Sequence, residues 1–308
     1  MISAGEDSTR ARHRDPRQRC KGTATPWLAQ ASASPIRRGY LNGDGHPDLA
    51  VAGCGERCNV TVLINHGNGT FAAGEIAADV ATKSMAVVDL NSDSYPDIAF
   101  ANGGSAGNSV SVMLNRHDGT FDTPTHHELN RFAIVESVAT ADLNGDGHPD
   151  IAVAAGSVSV LFNQGDGTFA AAVSLEENDV VASGIAAADL DGDGYPDLAV
   201  AGRGSSTASD VGAGAGAVKV LLNQGDGTFV GSARHAFDYR LSTIAAADLY
   251  GDGHPDLQGD GAFAAAADYN ADAIGGIAAA DFNGDGRPDL AVLGYRGGVG
   301  VLFNTCLP

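Results

Sequence analysis

The chain has little of what an ordinary enzyme core is built from. There is one tryptophan in 308 residues and aromatics make up 6%, so few large rings are available to fill a thick interior. Four cysteines are too few for a disulfide scaffold. Cys54 and Cys58, in C-G-E-R-C, could close a small loop disulfide, and Cys20 and Cys306 could tie the two ends together. Zinc is a poor reading of C-x-x-x-C with no second Cys or His pair nearby. Basic residues are scarce, 18 Lys/Arg against 38 Asp/Glu for a net charge of −20, which excludes nucleic acid and anionic membrane surfaces as expected partners. No run approaches the ~18 apolar residues of a spanning helix, so membrane insertion is not expected. Residues 1–40 lack an apolar signal core, although Ala31-Ser32-Ala33 resembles a cleavage site. No acid–base pair stands apart from the repeated pattern, so no enzyme is expected.

What the chain does have is acid and glycine, and both are organised. The stretch Ala141–Ala154 reads A-D-L-N-G-D-G-H-P-D-I-A-V-A. Asp142, Asn144, Asp146 and Asp150 place side-chain oxygens at loop positions 1, 3, 5 and 9, and His148 at position 7 can lend its carbonyl. Alternating oxygens of this kind suit a hard cation of calcium's size, and Gly145 and Gly147 permit the tight backbone. The same pattern recurs at Asp89, Asn91, Asp93, Tyr95 and Asp97, at Asp189, Asp191, Asp193, Tyr195 and Asp197, and at Asp281, Asn283, Asp285, Arg287 and Asp289. Two copies are damaged. Tyr40 replaces the first aspartate ahead of Asn42, Asp44 and Asp48, and Tyr250 replaces the third position between Asp248 and Asp252, with Asp256 intact. Ser92 and Ser94 stand where the second copy should have glycines, which predicts strain there.

An EF-hand would need a glutamate at position 12 and flanking helices. That position holds Phe100, Val153, Val200, Gly259 or Val292, and the flanks are short Val/Ala/Leu runs that suit buried strands. Position 7 carries His46, His148 and His254 but also Tyr95, Tyr195 and Arg287, so the slot is read as a backbone ligand and the histidines as incidental. A second motif, N-x-G-D-G-T-F and its variants, recurs at 65–71, 115–121, 163–169 and 223–229 and predicts a plain hairpin turn. Each unit thus predicts four strands: an Ala-rich inner strand such as Gly184–Asp189, the oxygen loop, a second strand such as Asp197–Ala201, a variable link, a third such as Val218–Asn223, the turn, and a fourth. Units of this length repeated in series predict an all-β propeller of four-stranded antiparallel blades. Six repeats are visible, the fifth truncated, which allows six or seven blades.

The D-L-N-G-D-G-H-P-D-L-A-V-A and V-L-L-N-Q-G-D-G-T-F pairs resemble FG-GAP/VCBS repeats, the repeats of integrin alpha-subunit propellers. The resemblance covers residues 36–308 and implies calcium in the hairpin loop between the first two strands of each blade, strongest in the second, third, fourth and sixth loops. It implies an extracellular binding or adhesion module for protein or cell-surface glycan ligands, with a lectin carrying sugar sites between blades as the alternative and a polysaccharide-degrading enzyme third. Calcium is expected to be structural, rigidifying hairpins. Links such as Arg203–Ala217 form the expected variable surface. Glu176-Glu177, Arg234-His235 and His126-His127 are read as solvated link residues. Residues 1–35, rich in Arg, Pro and Ser, are expected to be a disordered or foreign arm, and Arg37-Arg38 conflict with the small residues of an inner strand.

Overall fold

The computed structural model describes residues 36–54, 58–68, 70–77, 81–103, 109–129, 134–175, 179–204, 216–231, 234–237, 241, 244 and 246, together with the backbone of three strands within 274–302. The N-terminal arm, Cys20, Cys306, Glu176-Glu177, the centre of the Arg203–Ala217 link, the fifth loop (Asp248, Asp252, Asp256) and Asp281, Asn283, Asp285 and Arg287 lie outside the described residues. The side chains of Cys54, Cys58 and Asp289 do as well.

All described elements are strands. The first sheet comprises β1 (Ile36–Gly39), β2 (Asp48–Cys54), β3 (Cys58–Asn65) and β4 (Phe71–Ala77), hydrogen-bonded in chain order. The second comprises β5 (Ala81–Val88), β6 (Asp97–Gly103), β7 (Ser109–Met113) and β8 (Thr125–Glu128), and the third β9 (Ser137–Ala141), β10 (Asp150–Ala155), β11 (Ser157–Leu161) and β12 (Val173–Leu175). The fourth is β13 (Val180–Ala188), β14 (Asp197–Gly204), β15 (Gly216–Asn223) and β16 (Phe229–Gly231), with β17 (His235–Phe237) also pairing β15. A last sheet joins β18 (Ile274–Ala280), β19 (Asp289–Gly294) and β20 (Val299–Leu302). Every pairing is antiparallel. Strand ends reach beyond the sequence expectation, β14 to Gly204 and β15 back to Gly216, so the link between them spans only 205–215.

The second strand of each sheet explains the D-L-A-V-A pattern. In β10, Ile151, Val153 and Ala155 pack in a core shared with the second sheet, while Ala152 and Ala154 pack in one shared with the fourth. In β14, Leu198 and Val200 face the third sheet and Ala199 the opposite side. Large residues face the preceding sheet and alanines the following one, so the strand is buried on both faces and its period-2 signal survives only as an alternation of size. Each fully buried Leu, Ile or Val contributes roughly 1.5–3 kcal/mol, so many thin cores replace one thick one. These sheets, serially packed through shared cores, are consistent with a β-propeller.

Ile36–Gly39 does pair with β2 in the inner-strand register, Gly39 opposite Asp48 as Ala188 is opposite Asp197. Arg37 is exposed by surface area although burial around its guanidinium lowers its pKa, and the strand forms with the arginine in the small-residue slot. Cys54 and Cys58 are directly opposed Cα partners at the ends of β2 and β3.

Candidate metal loops and the seams between sheets

The four described oxygen loops each join the first and second strands of their sheet. In the third loop, Asp142 Oδ1 accepts the Gly145 N–H at 2.8 Å and the Asp146 N–H at 3.2 Å, and Oδ2 accepts the Gly147 N–H at 2.9 Å. Gly145 and Gly147 have φ of 76° and 86°, a region that glycine enters without steric cost. Asn144 Nδ2 donates to Asp146 Oδ2 at 2.9 Å, and Asp146 Oδ1 accepts the His148 N–H at 2.9 Å. The fourth loop repeats the frame, with Asp189 accepting from Gly192 and Gly194 at 2.8 and 3.0 Å and Asp193 accepting from Tyr195 at 2.8 Å. Its third position is Asp191, and here one carboxylate oxygen each from Asp189, Asp191 and Asp197 lie within 4.8 Å of one another. A calcium ion about 2.3–2.6 Å from each oxygen fits that spacing, and no amide competes for the charge as Asn144 does. The donor set is all oxygen, which suits a hard cation.

The second loop pays for its serines, since Ser92 and Ser94 adopt φ of 62° and 73°, which costs an L-residue roughly 1–2 kcal/mol. It also differs in charge. His117 Nε2 lies 2.8 Å from Asp93 Oδ2 and its ring stacks on Tyr95 with centroids 4.3 Å apart. Despite the opposing push of burial, the Tyr95 amide, His117 and Asn91 hold the Asp93 carboxyl below the usual carboxylate range. In the first loop Tyr40 is 47% exposed and gives no carboxylate, leaving Asn42 and the exposed Asp44 to bond each other at 2.9 Å.

Position 9 is different in kind. Asp48, Asp97, Asp150 and Asp197 are fully buried. In each, Oδ2 accepts the N–H of the leucine at position 2 (Leu41, Leu90, Leu143, Leu190) at 2.7–2.9 Å. Oδ1 accepts the N–H of the turn asparagine (Asn65, Asn115, Asn163, Asn223) at 2.7–2.8 Å. Burial, reinforced by the neighbouring carboxylates, pushes Asp97 and Asp150 up to about 6 against the pull of these amides, and Asp197 moves the same way.

The turn asparagine also reaches into the preceding sheet. Asn115 Nδ2 donates to the Leu41 carbonyl at 2.7 Å, Asn163 Nδ2 to Leu90 at 2.8 Å and Asn223 Nδ2 to Leu143 at 2.9 Å. The rest of the motif is a closed turn: Asp118, Asp166 and Asp226 each accept both the N–H and the hydroxyl of the following threonine through Oδ1. A plain turn is what the sequence predicts. The position-7 side chains have a packing role beside the backbone one expected for that slot. His46, His148 and Tyr195 lie against Gly67, Gly165 and Gly225 of their own turns so closely that a Cβ there would overlap the ring. The slot wants a flat group, which is why His and Tyr interchange.

Sequence reasoning missed the cross-sheet asparagine bonds and a polar row in the second sheet. There Ser111 Oγ lies 2.6 Å from His126 Nδ1, and Asn102 Nδ2 donates to Ser109 Oγ and Ser111 Oγ at 2.8 and 2.7 Å. Ser111 is fully buried, so this pair presents no accessible nucleophile.

The FG-GAP-like repeat family matches residues 41–100, 89–153 and 152–200, and the FG-GAP repeat matches 181–221. The chain belongs to the FG-GAP repeat family. Sequence comparison with curated proteins finds no match. Among solved structures, the chain is similar to an Agrocybe aegerita lectin described as specifically recognising non-reducing terminal N-acetylglucosamine, with TM-score 0.55, 22% identity, and coverage of 88% of this chain and 80% of the lectin. A Photorhabdus luminescens Tc holotoxin pore chain aligns with TM-score 0.38 and 16% identity over 88% of this chain and 11% of its own.

Proposed function

We propose that the protein is a calcium-stabilised extracellular β-propeller that acts as a non-catalytic binding module for glycans. The observation that carries the reading is a series of near-identical sheets in which the oxygen loop always joins the first strand to the second, while the link from second to third strand varies from one residue, Gly156, to the eleven of 205–215. A stiff scaffold with variable links is the usual way of presenting a binding surface. Support for glycans over protein ligands comes from the N-acetylglucosamine-binding lectin that shares the fold. Phe71 in the first sheet is 45% exposed although Phe121, Phe169 and Phe229 are half-buried in the cores shared with preceding sheets, and a closed ring would cover it with the last blade. The fourth loop is the strongest calcium site, held by Asp189, Asp191, Asp193 and Asp197, with Asp142, Asn144, Asp146 and Asp150 next.

The test is a glycan array probed with purified full-length protein in calcium and in chelator. Calcium-dependent binding to glycans ending in N-acetylglucosamine supports the reading. A blank array, with capture of a protein ligand instead, overturns the glycan assignment.

A further inference from the structure

The buried bonds of the loops form one continuous chain across four sheets. It runs from Asp48 to the Leu41 N–H, from the Leu41 carbonyl to Asn115 Nδ2, and from the Asn115 N–H to Asp97. It continues through Leu90 and Asn163 to Asp150, and through Leu143 and Asn223 to Asp197 and the Leu190 N–H. The asparagine in each link uses two groups. Its side-chain amide fixes the carbonyl between positions 2 and 3 of one loop, and its backbone N–H fixes the position-9 carboxylate of the next. Its Oδ1 is occupied within its own turn, accepting the N–H of His117, Gly165 or Gly225 at 2.9–3.0 Å, so the side chain has no freedom to let go at one end only.

We propose that Asn115, Asn163 and Asn223 are positioning residues that couple neighbouring calcium loops, so that a cation in one loop raises the affinity of the next. The proposal rests on the calcium reading above. A cation held by positions 1 and 3 fixes the peptide between them, whose carbonyl is the acceptor for the next sheet's asparagine. Fixing that acceptor fixes the asparagine, and with it the orientation of the following position-9 aspartate. Ordering shared in this way is spent once and benefits both sites. A second contact runs parallel to the link between the second and third loops, where Ser92 Oγ lies 3.0 Å from His148 Nδ1. Between the third and fourth sheets, a Cβ on Gly145 would come within 3.0 Å of the Gly225 carbonyl oxygen, so the loop and the next turn are in close register.

The test follows the backbone amides of Gly147 and Gly194, which report the third and fourth loops separately, by NMR during calcium titration of the full chain. Substituting Asp142→Ala disables the third loop. The expected result is a calcium midpoint at Gly194 weaker by about five-fold or more, the lower end of ordinary coupling. An Asn223→Ala background keeps the backbone N–H to Asp197 but removes the cross-sheet amide together with its bonds to the Pro196 carbonyl and the Gly225 N–H. In that background the Gly194 midpoint is compared with and without Asp142→Ala, and the two should coincide. If Asn223→Ala does not fold, the wild-type curves decide: Gly147 and Gly194 titrating together and more steeply than a single site supports coupling. Independent single-site curves overturn it while leaving calcium binding intact. No calcium-dependent shift at either glycine overturns the calcium reading and the coupling together.

Discussion

Asp150 and Asp146 sit four residues apart in one loop, yet substituting each by asparagine should have opposite signatures. Asp150 is fully buried and accepts two backbone N–H groups, from Leu143 at 2.9 Å and Asn163 at 2.8 Å. In Asp150→Asn only one oxygen remains, so one buried N–H faces an amide NH2 and loses its acceptor. That costs about 1–3 kcal/mol, and the surviving bond loses its charge assistance, about 1 kcal/mol more. Relief of the carboxylate's own burial, which pushes it up to about 6, returns part of this, about 1 kcal/mol after screening by the loop's water. The balance is a loss of about 1–3 kcal/mol, or roughly 2–4 °C in Tm per kcal/mol for a chain of this size. Asp146 is exposed and bonds only within its loop, so Asp146→Asn should leave the Tm in chelator unchanged and shrink the rise produced by millimolar calcium. Calorimetry of both variants, with and without chelator, separates the two roles. An Asp150→Asn protein that melts with wild type in chelator would refute the argument that position 9 holds the fold.

Ser94→Gly removes a side chain from a φ of 73° and should raise stability by about 1 kcal/mol, visible as a higher Tm; an unchanged or lower Tm contradicts strain in that loop. Gly167→Ala adds a Cβ at φ 80° that would come within 2.8 Å of Leu114 Cδ2 in the preceding sheet, and about 1–3 kcal/mol should be lost from that seam; thermal melts of the variant would show it. Asp97 and Asp150 are raised by burial to about 6, and Asp197 moves the same way, so their contribution is full below the unfolded value of about 3.9 and, for Asp97 and Asp150, is lost as pH rises through about 6. His127, lowered by burial and by His126, acts with the opposite sign below its unfolded value of about 6.5. Calcium-free protein should therefore melt higher at pH 5 than at pH 7.5, and a higher Tm at pH 7.5 in chelator would reverse the sign. Calcium favours the ionised carboxylates, so this pH dependence should flatten or invert in the loaded protein.

The strands and loops were legible because each rests on a local pattern. D-L-A-V-A alternates large and small side chains, and the loop glycines sit where positive φ is required. The seams were not legible, because nothing in N-Q-G-D-G-T-F says that its first residue serves the loop of another sheet 73 to 80 residues back. The packing role of position 7 was hidden for a related reason. His148 and Tyr195 look interchangeable only through their backbone until each is seen lying flat on a turn glycine. The fourth loop's advantage was visible as one letter, Asp191 in place of asparagine, but its consequence depends on three carboxylates actually converging.

The pattern of damage among the copies then makes physical sense. The degenerate loops have lost position 1 to Tyr40 and position 3 to Tyr250, while all six copies keep the aspartate at position 9: Asp48, Asp97, Asp150, Asp197, Asp256 and Asp289. Positions 1 and 3 face outward and serve a cation; losing one weakens a site but leaves no buried group unpaired. Position 9 faces inward and satisfies two buried N–H groups per sheet, including the one on the asparagine that ties that sheet to its neighbour. Removing it exposes a deficit in the hairpin and in the seam at once, and a cation cannot repair either. Position 5 is kept in all six copies as well (Asp44, Asp93, Asp146, Asp193, Asp252 and Asp285), so what sets position 9 apart is its two buried N–H partners in each of the four described loops, a hydrogen-bond frame that the fold itself requires.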